Sequence, residues 1–312
     1  MKGDRALVPE ADFRSYYGRP ILKPPAWKEP DVPLYLFLGG VAGASSVLAE
    51  GAAAADLPAL RRVARLSAAT GAGLGTVALI HDLGRPMRFL NMLRVVKPTS
   101  PLSVGTWILS PFAAFASAAA ASEVTGIAPR LGRLAGVGAA FFGPPLSTYT
   151  AALLCNTAVP SWHEAHREMP FLFAGSASAA AGGLAMTLVP VDQAGPARRL
   201  AAVGAALELG ATEVMEHNLG PLLAEPYKLG RPGRLLRAAR ALTIAGGLGS
   251  VVSGRSRVLS ALSGLALMGG SVLMRFGVYG AGVASTKDPK YVVIPQRERL
   301  DRKLAGVADG HA

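Results

Sequence analysis

The sequence predicts an all-α integral membrane protein, a bundle of eight transmembrane helices with an interfacial amphipathic helix after the second span. Three observations predict it. Apolar residues make up 51% of the 312 residues and charged residues 17%, where a soluble domain carries about a quarter charged. The charges crowd into both tails and a few short segments. Between them run eight stretches close to the roughly 20 apolar residues that a helix needs to cross hydrocarbon: 33–54, 64–83, 102–123, 132–155, 170–190, 198–217, 235–253 and 257–280. A backbone in lipid must satisfy its own hydrogen bonds, which favours helices. The ten-residue alternation of a membrane β-barrel is missing.

Residues 1–30 are polar and rich in Pro, Tyr and Arg. They lack the early apolar segment and small-residue cleavage site of a signal peptide, so the first span is expected to be retained behind a polar arm. The transmembrane domain is expected over 31–283, and a polar, basic tail over 284–312. Gly39 and Gly43, Gly71 and Gly75, and Gly132 and Gly136 are each four apart, a step that lets helices approach closely in lipid. Pro144 and Pro145 remove two backbone donors from the fourth span and are expected to kink or open it.

Several chemistries are excluded. Cys155 is the one cysteine, whereas an iron–sulfur cluster usually takes four thiolates. Of the five histidines, His311 lies in the tail, and His81, His163, His166 and His217 fall at or near span ends. A b-type haem needs histidines facing each other from within spans. There is no phosphate-binding glycine loop and no paired-histidine metal motif. The net charge of +12 reads as membrane topology plus contacts to lipid headgroups or an acidic partner, not as nucleic-acid binding.

The segment from His81 to Trp107 joins the second and third spans. Arg85, Arg88, Arg94 and Lys97 recur every three or six residues among Phe89, Leu90, Met92, Leu93, Val95 and Val96. That spacing predicts an amphipathic helix in the interface, stopped by Pro98; a plain basic loop that sets topology is the alternative.

Three segments resemble one family. They are DLGRPMRF (82–89) with KPTSP (97–101) and Trp107, PLYLFLGGVAGA (33–44), and YTAALLCNTAVPSW (149–162). Their order and spacing resemble the NrfD/PsrC-type membrane subunits of polysulfide reductase and related molybdoenzyme complexes. The resemblance implies a haem-free, quinone-reactive anchor. Its partners would be a ferredoxin-like iron–sulfur subunit and a molybdopterin catalytic subunit. Electrons would pass between those subunits and exchangeable menaquinol or menaquinone. The chain would be inactive alone.

The family places a quinone-bonding tyrosine near Tyr149, with an aromatic-belt residue as the alternative. Well-known members have a histidine at Tyr35, three residues after an asparagine; here Tyr35 and Val32 stand instead. Asp82 is implied as a functional acid by its motif, or else as half of a structural bridge to Arg85. Asp31 is close by, as a substitute acid or a helix cap. Arg85, Arg88, Arg94 and Lys97 are the expected docking residues for the partner. Trp162, His163, Glu164 and His166 read as a wet interfacial loop.

The sixth span carries Glu208, Glu213, Glu216 and His217. Carboxylates inside a span are costly and mark proton routes, so these four are candidates for a proton relay, with an ion pair to Arg275 as the alternative. Glu50 and Glu123 are expected to pair with Arg61, Arg65, Arg130 or Arg133. Two other functions remain open: a purely structural anchor, and a transporter of protons or a small solute. Basic residues near span ends favour a plasma-membrane protein with cytoplasmic termini.

Overall fold

The computed structural model describes residues 21–309. Residues 1–20 of the expected arm, and His311, lie outside the described residues. Those described form helices and connecting turns, with no strand among them. In chain order the helices are α1 Asp31–Ala54, α2 Pro58–Asp82, α3 Met87–Met92, α4 Pro101–Thr125, α5 Pro129–Cys155, α6 Pro160–His163, α7 Met169–Leu188, α8 Gly195–Lys228, α9 Gly230–Val252, α10 Arg257–Ser285 and α11 Lys290–Asp309. Prolines open α2, α4, α5 and α6 at their first positions, where a missing N–H costs nothing.

Six helices are long and apolar enough to cross a membrane: α1, α2, α4, α7, α9 with the turn that follows it, and α10. The stretches expected as fourth and sixth spans are the long helices α5 and α8. Their apolar character is diluted by Pro144, Pro145, Thr148 and Tyr149 in α5, and by Glu208, Glu213, Glu216 and Glu225 in α8.

The long helices form two groups of four. α1, α2, α4 and α5 pack together, as do α7, α8, α9 and α10, and the groups join where α7 meets α1 and α5 and α10 meets α1. The backbones of α1 and α5 touch almost directly. A Cβ at Gly43 would lie 2.3 Å from the Gly143 carbonyl oxygen, so only glycine permits this crossing. Gly39, one step earlier, faces open space. Small residues dominate the buried surface: Ala42, Ala52, Ala180, Ala197 and Ala201 are fully enclosed.

The helix break falls elsewhere than the proline pair suggested. α5 runs as one helix through Pro144 and Pro145. The interruption is in α8, where Gly220 takes φ 66° and ψ 178°, a conformation open to glycine, just before Pro221. The tail is a helix too. α11 returns to the bundle through Arg299 to Glu164 and Lys290 to Glu225, at 3.0 and 2.7 Å. Hydrogen bonding to Glu225 raises the Lys290 ammonium above its usual range and lowers the Glu225 carboxyl below its own.

Candidate functional site

One cavity gathers the ends of six segments. It has a volume of about 290 Å³. Val32 and Tyr35 reach it from α1, Leu79 and Asp82 from α2, Arg88, Phe89 and Met92 from α3, Leu102, Thr106 and Leu109 from α4, Tyr149 and Leu153 from α5, and Trp27 from the arm. Tyr35, Asp82 and Tyr149, far apart in the chain, thus share one wall-to-wall space.

Local chemistry explains how each arrives. Gly84 adopts φ +68° and donates its N–H to the His81 carbonyl at 3.2 Å. This left-handed step ends α2 and aims Asp82 at the cavity. It also takes Arg85 out of helical register, so the expected Asp82–Arg85 pair is not formed. The Asp82 carboxylate accepts the backbone N–H of Lys28 at 2.8 Å instead, pinning the arm to the mouth. Asp31 pairs with His81, Oδ2 to Nδ1 at 2.7 Å.

The helix expected from Arg85 to Lys97 covers only Met87–Met92. Its continuation is drawn off into the loop by the next span: the Val95 carbonyl accepts from Ser103 Oγ and Trp107 Nε1, at 2.9 and 3.1 Å. Ser103 Oγ also accepts the Lys97 N–H at 2.9 Å. Arg88 therefore lies on α3 and lines the cavity, while Arg85 precedes the helix and Arg94 and Lys97 follow it.

Tyr35 is buried and Tyr149 half-buried. Neither phenol hydroxyl bonds another group among the described residues, so both O–H groups are free to face a ligand. The Tyr149 ring lies against bare backbone: a Cβ at Gly105 would sit 2.1 Å from Tyr149 Cε2. The Thr106 hydroxyl is already donated to the Leu102 carbonyl at 3.0 Å. The site is thus an apolar slot with two unengaged phenols, one carboxylate and one guanidinium.

Sequence reasoning missed Gly105 and Trp27. A glycine in a glycine-rich chain carries no signal of its own, and the arm reads as merely polar. Trp162 was misplaced. It is fully enclosed, donates Nε1–H to the Val278 carbonyl at 2.8 Å, and stacks on Trp27 with ring centroids 5.9 Å apart. The Tyr279 hydroxyl then holds the Trp27 carbonyl at 2.7 Å, so a buried aromatic ladder backs the cavity. His163 and His166, both exposed, do lie outside the core.

Of the four candidates of α8, Glu208 and Glu216 share a space and Glu213 and His217 stand apart from it. Glu208 is 3% exposed, accepts from Thr243 Oγ1 at 3.0 Å and leaves its second oxygen unpartnered. Glu216 shares a cavity of about 250 Å³ with it and pairs with Lys228 at 3.3 Å. Glu213 turns to Arg240, and His217 is exposed. Arg275 lies at neither Glu213 nor Glu216. It is fully buried, donates Nη2–H to the Phe173 carbonyl at 3.0 Å, and stands 3.7 Å over the Phe173 ring. At the opposite end of the bundle Arg65 bridges Glu50 and Glu123 at 2.8 and 3.2 Å, and Arg61 meets Glu123 at 3.0 Å, which are pairs the sequence suggested. No group of three or more His, Cys, Asp or Glu suited to a metal ion occurs among the described residues.

Comparison with known proteins adds two findings. A family model described as polysulphide reductase, NrfD, matches residues 26–202, a stretch that holds every residue lining the cavity. No curated protein sequence matches the chain.

Proposed function

We propose a function from one premise: the chain belongs to the polysulphide reductase NrfD family, and is a multi-pass membrane protein of that kind. Our reading is a haem-free membrane anchor of eight spans that exchanges electrons between menaquinol or menaquinone and a partner iron–sulfur subunit, itself serving a molybdopterin oxidoreductase. The observation that carries it is the single cavity shared by Tyr35, Asp82 and Tyr149.

The residues fit a quinone. Small-molecule sites are mostly apolar, with a few placed polar groups, in volumes of roughly 300–1,000 Å³, and this cavity is near the lower end. A naphthoquinone ring fits such a slot while its isoprenoid tail lies along the helices in lipid. The two ring oxygens need hydrogen-bond partners, and the free phenols of Tyr35 and Tyr149 supply them. Oxidising quinol releases two electrons and two protons. Asp82 is the carboxylate in the lining that accepts protons, and Arg88 offsets the charge it carries. Glu208, buried with one oxygen unpartnered, remains in this reading the α8 residue that carries protons.

Tyr149→Phe and Asp82→Asn are each expected to lower quinol-dependent turnover about a hundredfold or more, the usual worth of a general acid or base. Viologen-driven turnover of the assembled complex should persist, because that donor feeds the soluble subunits directly. Normal quinol turnover in both variants would place the quinone elsewhere.

A further inference from the structure

The arm before α1 brings one large apolar side chain to the cavity, that of Trp27. Three consecutive residues there are tied to three different helices. The Trp27 carbonyl accepts from the Tyr279 hydroxyl of α10 at 2.7 Å. The Lys28 N–H is donated to Asp82 of α2 at 2.8 Å, and Glu29 accepts from Arg231 of α9 at 2.8 Å. The indole itself lies on Trp162 with the two planes 25° apart. Trp162 is held in turn, fully enclosed and seated on bare backbone at Gly282. The place of the Trp27 ring is therefore set before any ligand arrives. Phe89 also lines the cavity, but it rides on the six-residue α3 and stacks on no other ring among the described residues.

The geometry points to Trp27 as the residue that makes the cavity select a fused, two-ring quinone over a single-ring one. This rests on the quinone reading above and adds a specificity determinant to it. Trp162 covers one face of the indole, so the cavity meets the other face or the edge, and either is an aromatic surface fixed in place. Aromatic pairs in offset-stacked or edge-to-face contact gain beyond the area they bury.

The two phenols bond the oxygens of the quinone ring, which naphthoquinones and benzoquinones share, so they do not tell the two apart. What differs is the fused second ring, which carries no polar group. An aromatic wall is the part of the lining able to reward it. A wall fixed in advance also spares the entropy that a mobile side chain loses on binding. In this role Trp27 carries no proton; it sets which ring the phenols receive.

The test compares two donors on the whole complex. One is dimethylnaphthoquinol; the other is tetramethylbenzoquinol, whose reacting ring bears two methyl groups in place of the fused ring. Each variant is referred to wild type with the same donor, which cancels the difference in the donors' own redox chemistry. Trp27→Leu is expected to raise KM for dimethylnaphthoquinol about five- to tenfold, while KM for tetramethylbenzoquinol stays within about twofold. Viologen-driven turnover should be normal. Trp27→Phe keeps a ring on Trp162 and should recover part of the loss. A KM that rises equally for both donors makes Trp27 only an anchor of the arm and overturns the proposal, as does a KM unchanged for both. Should Trp27→Leu fail to assemble, photolabelling of the wild-type complex with an azido-substituted methylnaphthoquinone answers the same question. Label is then expected on Trp27 and should be displaced by dimethylnaphthoquinol; label absent from Trp27 overturns the wall. The two readings fail separately. If Tyr149→Phe and Asp82→Asn are impaired while Trp27→Leu treats both donors alike, only the selectivity is lost; if Tyr149→Phe and Asp82→Asn keep normal quinol turnover, the quinone site goes with it.

Discussion

At Gly105 a methyl group would meet the Tyr149 ring at 2.1 Å, so Gly105→Ala must push the ring toward the cavity or out of it. Overpacking of this kind costs about 1–3 kcal/mol. Here the cost falls on the position of a phenol more than on the fold. Gly105→Ala is expected to raise the quinol KM about tenfold or more, with the complex still assembled and viologen-driven turnover intact. A KM that stays put would show that Tyr149 does not touch the quinone. At this scale Tyr35, Asp82 and Tyr149 were legible, because motifs of ordered spacing surround them. Gly105 was not, since its meaning lies in a ring 44 positions away on another helix. Trp162 was misread for a related reason. A tryptophan after a span normally marks the lipid boundary, and only the fold shows it walled in by Gly282, where a Cβ would lie 1.9 Å from Trp162 Cε2.

Among the elements, α3 and its flanks form the surface proposed to meet the partner. Arg88, Arg94 and Lys97 are exposed, and Arg88, which also lines the cavity, donates to the Leu83 carbonyl at 3.4 Å. Reversing Arg88 and Arg94 to Glu together should release the soluble subunits from membranes while this chain stays inserted, as read by blotting both fractions. Retention of the partner would move the docking surface elsewhere. The long apolar helices were legible from composition alone, because crossing hydrocarbon leaves little choice of residue. The shorter detail was not. The basic spacing continues to Lys97, yet Ser103 and Trp107 capture the Val95 carbonyl and end the helix early. In α5 two prolines looked decisive, yet packing keeps the helix whole; α8 breaks at Gly220 because the backbone there takes a shape that side chains resist.

At the scale of the whole molecule, eight spans would put both termini on one side, together with the cavity proposed for quinone and α11. Basic residues near the span ends favour the cytoplasm for that side. A C-terminal alkaline phosphatase fusion should then be inactive and a fluorescent-protein fusion bright; the reverse pattern places the cavity outside. The two four-helix groups meet along α1, α7 and α10, and the arm closes over the first group at Trp27. That closure has an optical consequence. The chain has three tryptophans. Trp27 lines the cavity and stacks on Trp162, while Trp107 is 47% exposed on the flank of α4. A naphthoquinone absorbs where indoles emit, so its arrival in the cavity should quench Trp27 and Trp162 well before Trp107. Titrating menaquinone analogues into the purified chain should give a saturable loss of emission, most of it removed by Trp27→Phe and Trp162→Phe together. Occupancy of the cavity can in this way be watched by light alone, with no partner subunit, no electron donor and no turnover.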